Sequence, residues 1–264
     1  DGSGVWYSRY PQRSATAGAP GTAAGGAPGG AAESRGDDQA QPAVHFHRLG
    51  EPQSTDLRVY AVTDHPTRAP SAQVTDDGRW LVVTLFDGYQ TNAVDLLELA
   101  QPNAKPRRLF ADWDALYTAL GNEGDTFYVQ TTQAAPRGRV IAVDARRPAR
   151  RHWRELVPQD DAALASASLV GGRLVVQYVR DAHSIVRMFG TDGRAAGEVS
   201  LPGLGTVAGF AGKAGDPETF YSYTDHLDPP RVLRFDANTR RSDVFCAPRL
   251  AADTSRYVTR QVFY

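Results

Sequence analysis

The side chains that could do chemistry in this 264-residue sequence are few and widely spaced. His45 and His47 alternate along one predicted strand and so share a face, where a nearby carboxylate could complete a metal site. A pair of this kind is more often a solvated strand face, which is the interpretation we favour. Cys246 is the only cysteine, which excludes an intrachain disulfide and a multi-thiolate centre. We interpret it as a small buried or edge side chain rather than a nucleophile.

Motifs of known catalytic machinery are absent from the sequence. No serine lies in a G-x-S-x-G elbow, and there is no HExxH, no P-loop and no GxGxxG after a predicted strand. Asp76-Asp77-Gly78 lacks the spacing of an EF-hand loop, so we predict a hairpin turn that needs a positive φ at glycine. We therefore expect no catalytic residue, no metal and no cofactor in this chain.

Composition narrows the class of protein further. With 41% hydrophobic and 22% charged residues, the chain is expected to be globular. A net charge of -1 gives no electrostatic footprint for nucleic acid, and no apolar run approaches the ~20 residues of a membrane helix. We expect neither nucleic acid nor membrane as a partner. The compartment stays open, with the cytoplasm favoured over the periplasm.

The elements that must position any functional residue repeat along the chain. Turns at Gly78, Gly124, Gly172 and Asp216 follow one another about every 45 residues, and each introduces a short apolar strand. Each such strand is one of four predicted per repeat, although the stretch 112–120 also shows some helical periodicity. Four short antiparallel strands per repeat are typical of a β-propeller blade. The sequence therefore predicts an all-β fold.

The first repeat is interrupted. Gly4–Tyr10 is predicted as an inner strand, and Ala43–Gly50 and Leu57–Val62 as the next two. Residues 12–42 are rich in Gly, Ala, Pro and Ser, which predicts a flexible insertion at the rim. The count is about four complete blades plus three strands of a fifth. Such a ring cannot close, so we expect further blades before Asp1.

Several stretches resemble, in order and spacing, the propeller of the prolyl oligopeptidase family of serine peptidases. The resemblance covers essentially the whole chain outside the insertion. The stretches that carry it are FHRLGEPQSTDLRVY (Phe46–Tyr60), TDDGRWLVV (Thr75–Val83), NEGDTFYVQTTQAAPRGRVIAVD (Asn122–Asp144), WRELVP (Trp153–Pro158) and RYVTRQVFY (Arg256–Tyr264).

The resemblance implies a seven-bladed propeller joined to an α/β-hydrolase domain with a Ser-Asp-His triad. Residues 1–255 would belong to the propeller, and the segment 256–264, which ends in a strand-like run over Arg260–Tyr264, would lead into the catalytic domain. The triad would then lie beyond Tyr264, so the parent enzyme would cleave short peptides after proline while this chain alone would be inactive. The implied partners are the hydrolase domain of the same polypeptide and short proline-containing peptides.

Because the strands of each blade are predicted to be antiparallel, the loops after the second and fourth strands lie on one face. These loops are residues 64–69, 86–92, 131–137, 180–183 and 224–230. In the resembled family this face covers the triad and admits peptides by size. The family's substrate-contacting Met, Arg and Cys fall on Ala69, Phe86 and Tyr89, none of which keeps the family residue. Phe86 and Tyr89 could line an apolar subsite, or both rings could pack within their own loop.

Two other classes of function remain open at this point. One is a stand-alone propeller that serves as a platform for protein interactions. The other is the propeller of a related peptidase, of the oligopeptidase B or dipeptidyl-peptidase type. The stretches HRLGEPQ and TDDGRW favour the prolyl enzyme over the related peptidases.

An incomplete ring predicts low stability and aggregation of the chain when it is expressed alone. If each uncovered terminal sheet exposes about 400 Å² of apolar surface, the lost stabilisation is ~10 kcal/mol per face. That equals the net stability of a typical domain. We expect aggregation or loose folding in size-exclusion and melting experiments, and a sharp, cooperative, monomeric melt would contradict this.

Overall fold

The computed structural model describes residues 2–9, 42–63, 65, 67–101, 105–249, 254 and 256–263. The predicted insertion at 12–42 lies outside these residues, apart from Pro42. Two short 3-10 helices occur, at Gln53–Thr55 and Arg150–His152. The strands are β1 Gly4–Arg9, β2 Ala43–Arg48, β3 Leu57–Ala61, β4 Ala69–Val74, β5 Trp80–Phe86, β6 Asn92–Glu98, β7 Arg107–Phe110, β8 Tyr117–Glu123, β9 Thr126–Thr131, β10 Arg139–Asp144, β11 Arg154–Val157, β12 Ala163–Val170, β13 Arg173–Arg180, β14 His183–Gly190, β15 Ala195–Glu198, β16 Thr206–Ala211, β17 Glu218–Thr224, β18 Arg231–Asp236 and β19 Arg241–Cys246.

The described strands form five antiparallel sheets. The first sheet has three strands, in the order β1-β2-β3, and the second to fifth sheets have four each, β4 to β7, β8 to β11, β12 to β15 and β16 to β19. Every sheet follows chain order, so each is a meander joined by turns. This arrangement confirms the predicted partial propeller of four complete blades and three strands of another.

In the second, third and fourth sheets the second strand is largely buried on both faces, whereas β17 of the fifth sheet buries alternate residues only. In β5, Leu81 and Val83 pack in a cluster with side chains of the first sheet, such as Val44. The intervening Trp80 and Val82 pack against the third sheet. A strand buried on both faces appears in the sequence as a continuous apolar run rather than an alternating one.

The same division recurs through the molecule, since four separate apolar clusters each join a pair of neighbouring sheets. Stacked aromatic rings occur in two of these clusters, one pair between neighbouring sheets and one pair within a single sheet. The rings of Phe110 and Tyr117 lie 4.1 Å apart between the second and third sheets, and those of Phe210 and Tyr221 lie 4.4 Å apart within the fifth. The core is thus a series of layers between sheets.

Register irregularities identify which strands of the first sheet correspond to those of the others. In each four-stranded sheet the third and fourth strands pair with a register shift, whereas the second and third pair regularly. In the first sheet β2 and β3 are shifted between Val44 and His45, and β1 and β2 are regular. Hence β1 corresponds to a second strand and not, as predicted, to an inner one.

The stretch 112–120, which shows some helical periodicity, overlaps the start of the predicted strand β8, because pairing with β9 outweighs the local pattern. One other expectation differs from the structure. The strand-like run at the C-terminal end is not in a strand over Arg260–Phe263, since no described strand pairs with it. Among the described residues no helix has both the length and the hydropathy to span a bilayer.

A buried carboxylate joins the first two sheets. Asp95 of β6 is 3% exposed, and Tyr60 of β3 donates a hydrogen bond to its Oδ2 over 2.6 Å. Arg108 of β7 donates to the same carboxylate through Nε (2.5 Å) and Nη2 (3.2 Å). The group is fully satisfied, so it fixes how the two sheets pack on one another.

We expect Asp95→Ala to destabilise the full-length polypeptide by about 2–4 kcal/mol, because it removes a buried carboxylate that accepts hydrogen bonds from a phenol and a guanidinium. The measurement is the urea midpoint of unfolding. The control is Glu51→Ala, which removes an exposed ion pair with Arg48 and should change stability by less than ~1 kcal/mol. Equal effects of the two variants would refute the role of Asp95.

Candidate functional site

The connections that follow the second and fourth strands lie along one surface, which we call the loop face. A backbone hydrogen bond links two of these connections, from Thr132 N to the Leu116 carbonyl (3.2 Å), and another joins the connection 199–205 to the start of β14, from Ser184 N to the Gly205 carbonyl (2.9 Å). The loop face comprises residues 62–68, 87–91, 111–116, 132–138, 158–162, 181–182, 199–205 and 225–230, excluding the undescribed 64 and 66. The neighbouring loops therefore form a continuous surface.

The opposite face carries the tight turns between first and second strands. Gly78 has φ +70°, and Asp77 accepts hydrogen bonds from the Thr75 hydroxyl (2.6 Å) and the Arg79 amide (3.0 Å). Burial would raise the pKa of Asp77, but these bonds outweigh it and hold the pKa below its usual value. This geometry confirms the hairpin turn predicted at Asp76-Asp77-Gly78.

Two of the three predicted substrate-lining residues share a cavity. Phe86 is 40% exposed at the end of β5, and Tyr89 is 94% exposed at the tip of the next turn. Both line a cavity of about 350 Å³ at the junction of the second and third sheets. Ala69 pairs with Phe86 in the β4–β5 ladder but does not line the cavity.

Part of the cavity wall comes from the innermost strands β4 and β8, and part from Val82 and Thr84 of β5. Ser71 and Gln73 of β4 face Thr118 and Ala119 of β8 across it. No motif marks these side chains in the sequence. The sequence shows only that these residues belong to two predicted inner strands. It does not show that β4 and β8 lie on opposite sides of one cavity.

Asn92 anchors the inner wall. Its buried amide donates to the Tyr117 carbonyl (2.8 Å) and accepts from the Tyr117 amide (2.7 Å), joining β6 to β8. The Tyr117 hydroxyl donates to Asp114 (2.7 Å), and burial together with this carboxylate raises the pKa of Tyr117. The phenol thus stays neutral, and the inner edges of the second and third sheets are fixed next to the cavity.

The turn that carries Tyr89 is held at its start by Arg68. The Arg68 Nε lies 3.3 Å from Asp87 Oδ2, and its guanidinium stacks 4.0 Å from the Trp113 ring centroid. Trp113 has φ +52°, a left-handed conformation that costs a bulky residue about 1–2 kcal/mol. Backbone strain of this kind persists only where surrounding contacts impose it.

The two histidines considered for metal binding take different roles. His47 Nδ1 lies 2.7 Å from Asp56 Oδ1, and Tyr7 donates to Asp56 Oδ2 over 2.5 Å. His45 is 4% exposed and stacks on Tyr7 with ring centroids 5.5 Å apart. Within the described part of the chain, no three His, Cys, Asp or Glu side chains are grouped to hold a metal ion. Cys246 is exposed at the end of the edge strand β19.

The five stacked meanders with an open inner edge define a partial β-propeller. Residues 1–248 match the model of the prolyl oligopeptidase N-terminal β-propeller domain, and the chain belongs to this family. The two stretches of the sequence that carried the resemblance most strongly, around Phe46–Tyr60 and Thr75–Val83, lie in the first and second sheets.

Curated relatives extend the match. A prolyl endopeptidase of Elizabethkingia meningoseptica is 28% identical over 84% of this chain and 31% of its own length. Prolyl oligopeptidase A of Galerina marginata is 29% identical over all of this chain and 35% of its own length. A solved structure from work on two prolyl endopeptidases superimposes with a TM-score of 0.82, at 28% identity, over 99% of this chain and 36% of that one. This chain therefore spans about a third of the length of its relatives.

The Asp56 cluster predicts how stability responds to acid. Burial would raise the pKa of Asp56, but the hydrogen bonds from Tyr7 and His47 outweigh it and lower the pKa. A carboxylate with a depressed pKa in the folded state stabilises the protein above its unfolded pKa of ~3.9 and loses this effect as the pH falls through its folded pKa. When the pH is lowered from 5 to 3, we expect the melting temperature of the full-length wild-type polypeptide to fall further than that of its Asp56→Asn variant. Parallel curves would contradict the prediction.

Proposed function

We propose that this chain is the non-catalytic propeller of a serine endopeptidase that cleaves short peptides after proline. The observation that carries the proposal is the cavity at the inner edge of the second and third sheets, which opens beside the exposed rings of Phe86 and Tyr89. Membership of the prolyl oligopeptidase propeller family supports the assignment of the reaction. The triad belongs to an α/β-hydrolase domain outside this chain.

Gating by this propeller is steric. The loop face would cover the catalytic domain, and the enclosed space would admit a short extended peptide while excluding a folded domain. Exclusion of bulk water strengthens every hydrogen bond and charge interaction at the triad. The binding partner of the loop face in this proposal is thus the hydrolase domain of the same polypeptide, and the ligand is a short proline-containing peptide.

The inner strands are almost uncharged, so they can bind a peptide whatever its charge. Strands β4, β8, β12 and β16 contain one charged residue among them, Glu123 at the end of β8. Phe86 and Tyr89 add aromatic surface at the entrance, where a proline or aromatic side chain can stack and the phenol can hydrogen bond to a backbone carbonyl. This wall selects peptides by shape and apolar surface.

The experiment is expression of the full-length polypeptide and cleavage of chromogenic peptides that end in Gly-Pro, in Gly-Arg or in a dipeptide with a free amino terminus. We expect rapid cleavage after proline. Preference for arginine would indicate the oligopeptidase B type, and preference for the free dipeptide would indicate the dipeptidyl-peptidase type. Either result, or no cleavage at all, would overturn the proposal.

The aromatic residues can be tested in the same assay. We expect Phe86→Ala and Tyr89→Ala each to raise KM for a pentapeptide substrate by roughly 2- to 12-fold, as loss of one stacking contact predicts, with kcat changed less than KM. Leu49→Ala is the control, because Leu49 is 58% exposed in the β2–β3 connection on the opposite face. If all three variants behave alike, the two rings do not contact substrate.

A further inference from the structure

We propose that Arg68 is a positioning residue for substrate binding, because it holds the β5–β6 turn, residues 87–91, in the orientation that places Tyr89 at the cavity. The inference deepens the proposed function and rests on it for the identity of the substrate. It concerns a side chain that does not itself line the cavity. Arg68 would act through the turn that it holds.

Arg68 joins two different connections of the loop face. It precedes β4, its Nε donates to Asp87 at the start of the β5–β6 turn, and its guanidinium carbon lies over the Trp113 ring in the β7–β8 connection, 4.0 Å from the ring centroid. The Arg68 side chain is 17% exposed, so its charge is partly desolvated and both contacts are stronger than they would be in water. Arginine suits this place because one planar group can stack and form an ion pair at once.

The turn is fixed at its two ends and free between them. Asp87 is held by Arg68 at one end, and Asn92 is tied to Tyr117 at the other. Between them Gly88 has φ +77°, and Tyr89 projects into solvent. With both ends anchored, the turn presents Tyr89 in a narrow range of positions. Loss of one anchor would leave a five-residue segment hinged at Asn92.

Arg68 also sets the charge beside the cavity. The Asp87 side chain is 39% exposed and follows Phe86 directly, so without a counter-charge it would place a negative charge at the rim. With Arg68 bound, the Asp87 carboxylate is paired beside the exposed aromatic rings. The exposed rings favour an apolar peptide side chain next to Tyr89. Because the charge of Asp87 is paired with that of Arg68, an acidic peptide side chain is not repelled there.

The kinetic test uses the full-length polypeptide and a pentapeptide series with Phe, Lys or Glu at the position that contacts Tyr89. We expect Arg68→Gln to raise KM for the Phe peptide about 2- to 10-fold, no more than Tyr89→Ala does, with kcat within twofold, and to shift preference from Glu toward Lys. Arg68→Lys keeps the ion pair and should restore the charge preference but only part of the affinity. Arg194→Gln, at a side chain 91% exposed in the β14–β15 turn, is the control and should match the wild type.

Limited proteolysis of the same proteins separates this inference from the proposed function. Phe86 and Tyr89 are exposed aromatic side chains that chymotrypsin can recognise in the turn. In Arg68→Gln we expect about tenfold faster chymotryptic cleavage at these two residues, with cleavage elsewhere unchanged, whether or not the enzyme cleaves after proline. An unchanged cleavage rate in the turn would overturn the positioning role. If cleavage is faster while KM and charge preference stay at wild-type values, Arg68 orders the turn without affecting substrate, and the inference is also overturned. A wild type inactive on every proline peptide but with a turn loosened by Arg68→Gln would refute the proposed function alone.

Discussion

The structure depends on one constraint, which is that each of its sheets has two apolar faces and can bury both only between neighbours. Alternate side chains of a single strand therefore belong to two different cores, as Leu81 and Trp80 do in β5. The stabilising area is distributed over four interfaces of similar kind rather than gathered in one centre. Stability then depends on the stacking of successive sheets.

Apolar stacking alone does not define how far one sheet slides over the next, and polar groups at the interfaces supply that definition. Asp95 ties the first sheet to the second near their outer strands, and Asn92 ties the second to the third at their inner edge. Both side chains are buried, so an incorrect alignment would leave them unsatisfied at a cost of about 1–3 kcal/mol each. Burial of apolar area thus stabilises the stack of sheets, and the hydrogen bonds of Asp95 and Asn92 define the alignment of one sheet on the next.

The candidate site lies where this register matters most. Its cavity is bounded by inner strands of two sheets and by a turn that departs from a buried strand, so a small slide of one sheet would change its shape. The loops themselves carry the variable chemistry, with Phe86 and Tyr89 at positions where the family was expected to have other residues. A rigid stack of sheets with an adaptable loop face allows the binding surface to change without loss of the fold.

The sequence by itself determined the fold class, the number of sheets and nearly all of the strands, because turn glycines, strand-length apolar runs and a repeat near 45 residues are local signals. Strand β8 was the least strand-like of those predicted, since its stability comes from β9 and Asn92 rather than from its own pattern. The sequence also pointed to Phe86 and Tyr89 but left open whether the rings pack within their loop. Only the tertiary structure decided that they line one cavity with β8, that Ala69 does not, and that Arg68 meets Asp87 and Trp113. Those contacts join residues from separate repeats, and their geometry is set by how whole sheets stack, which no local pattern encodes.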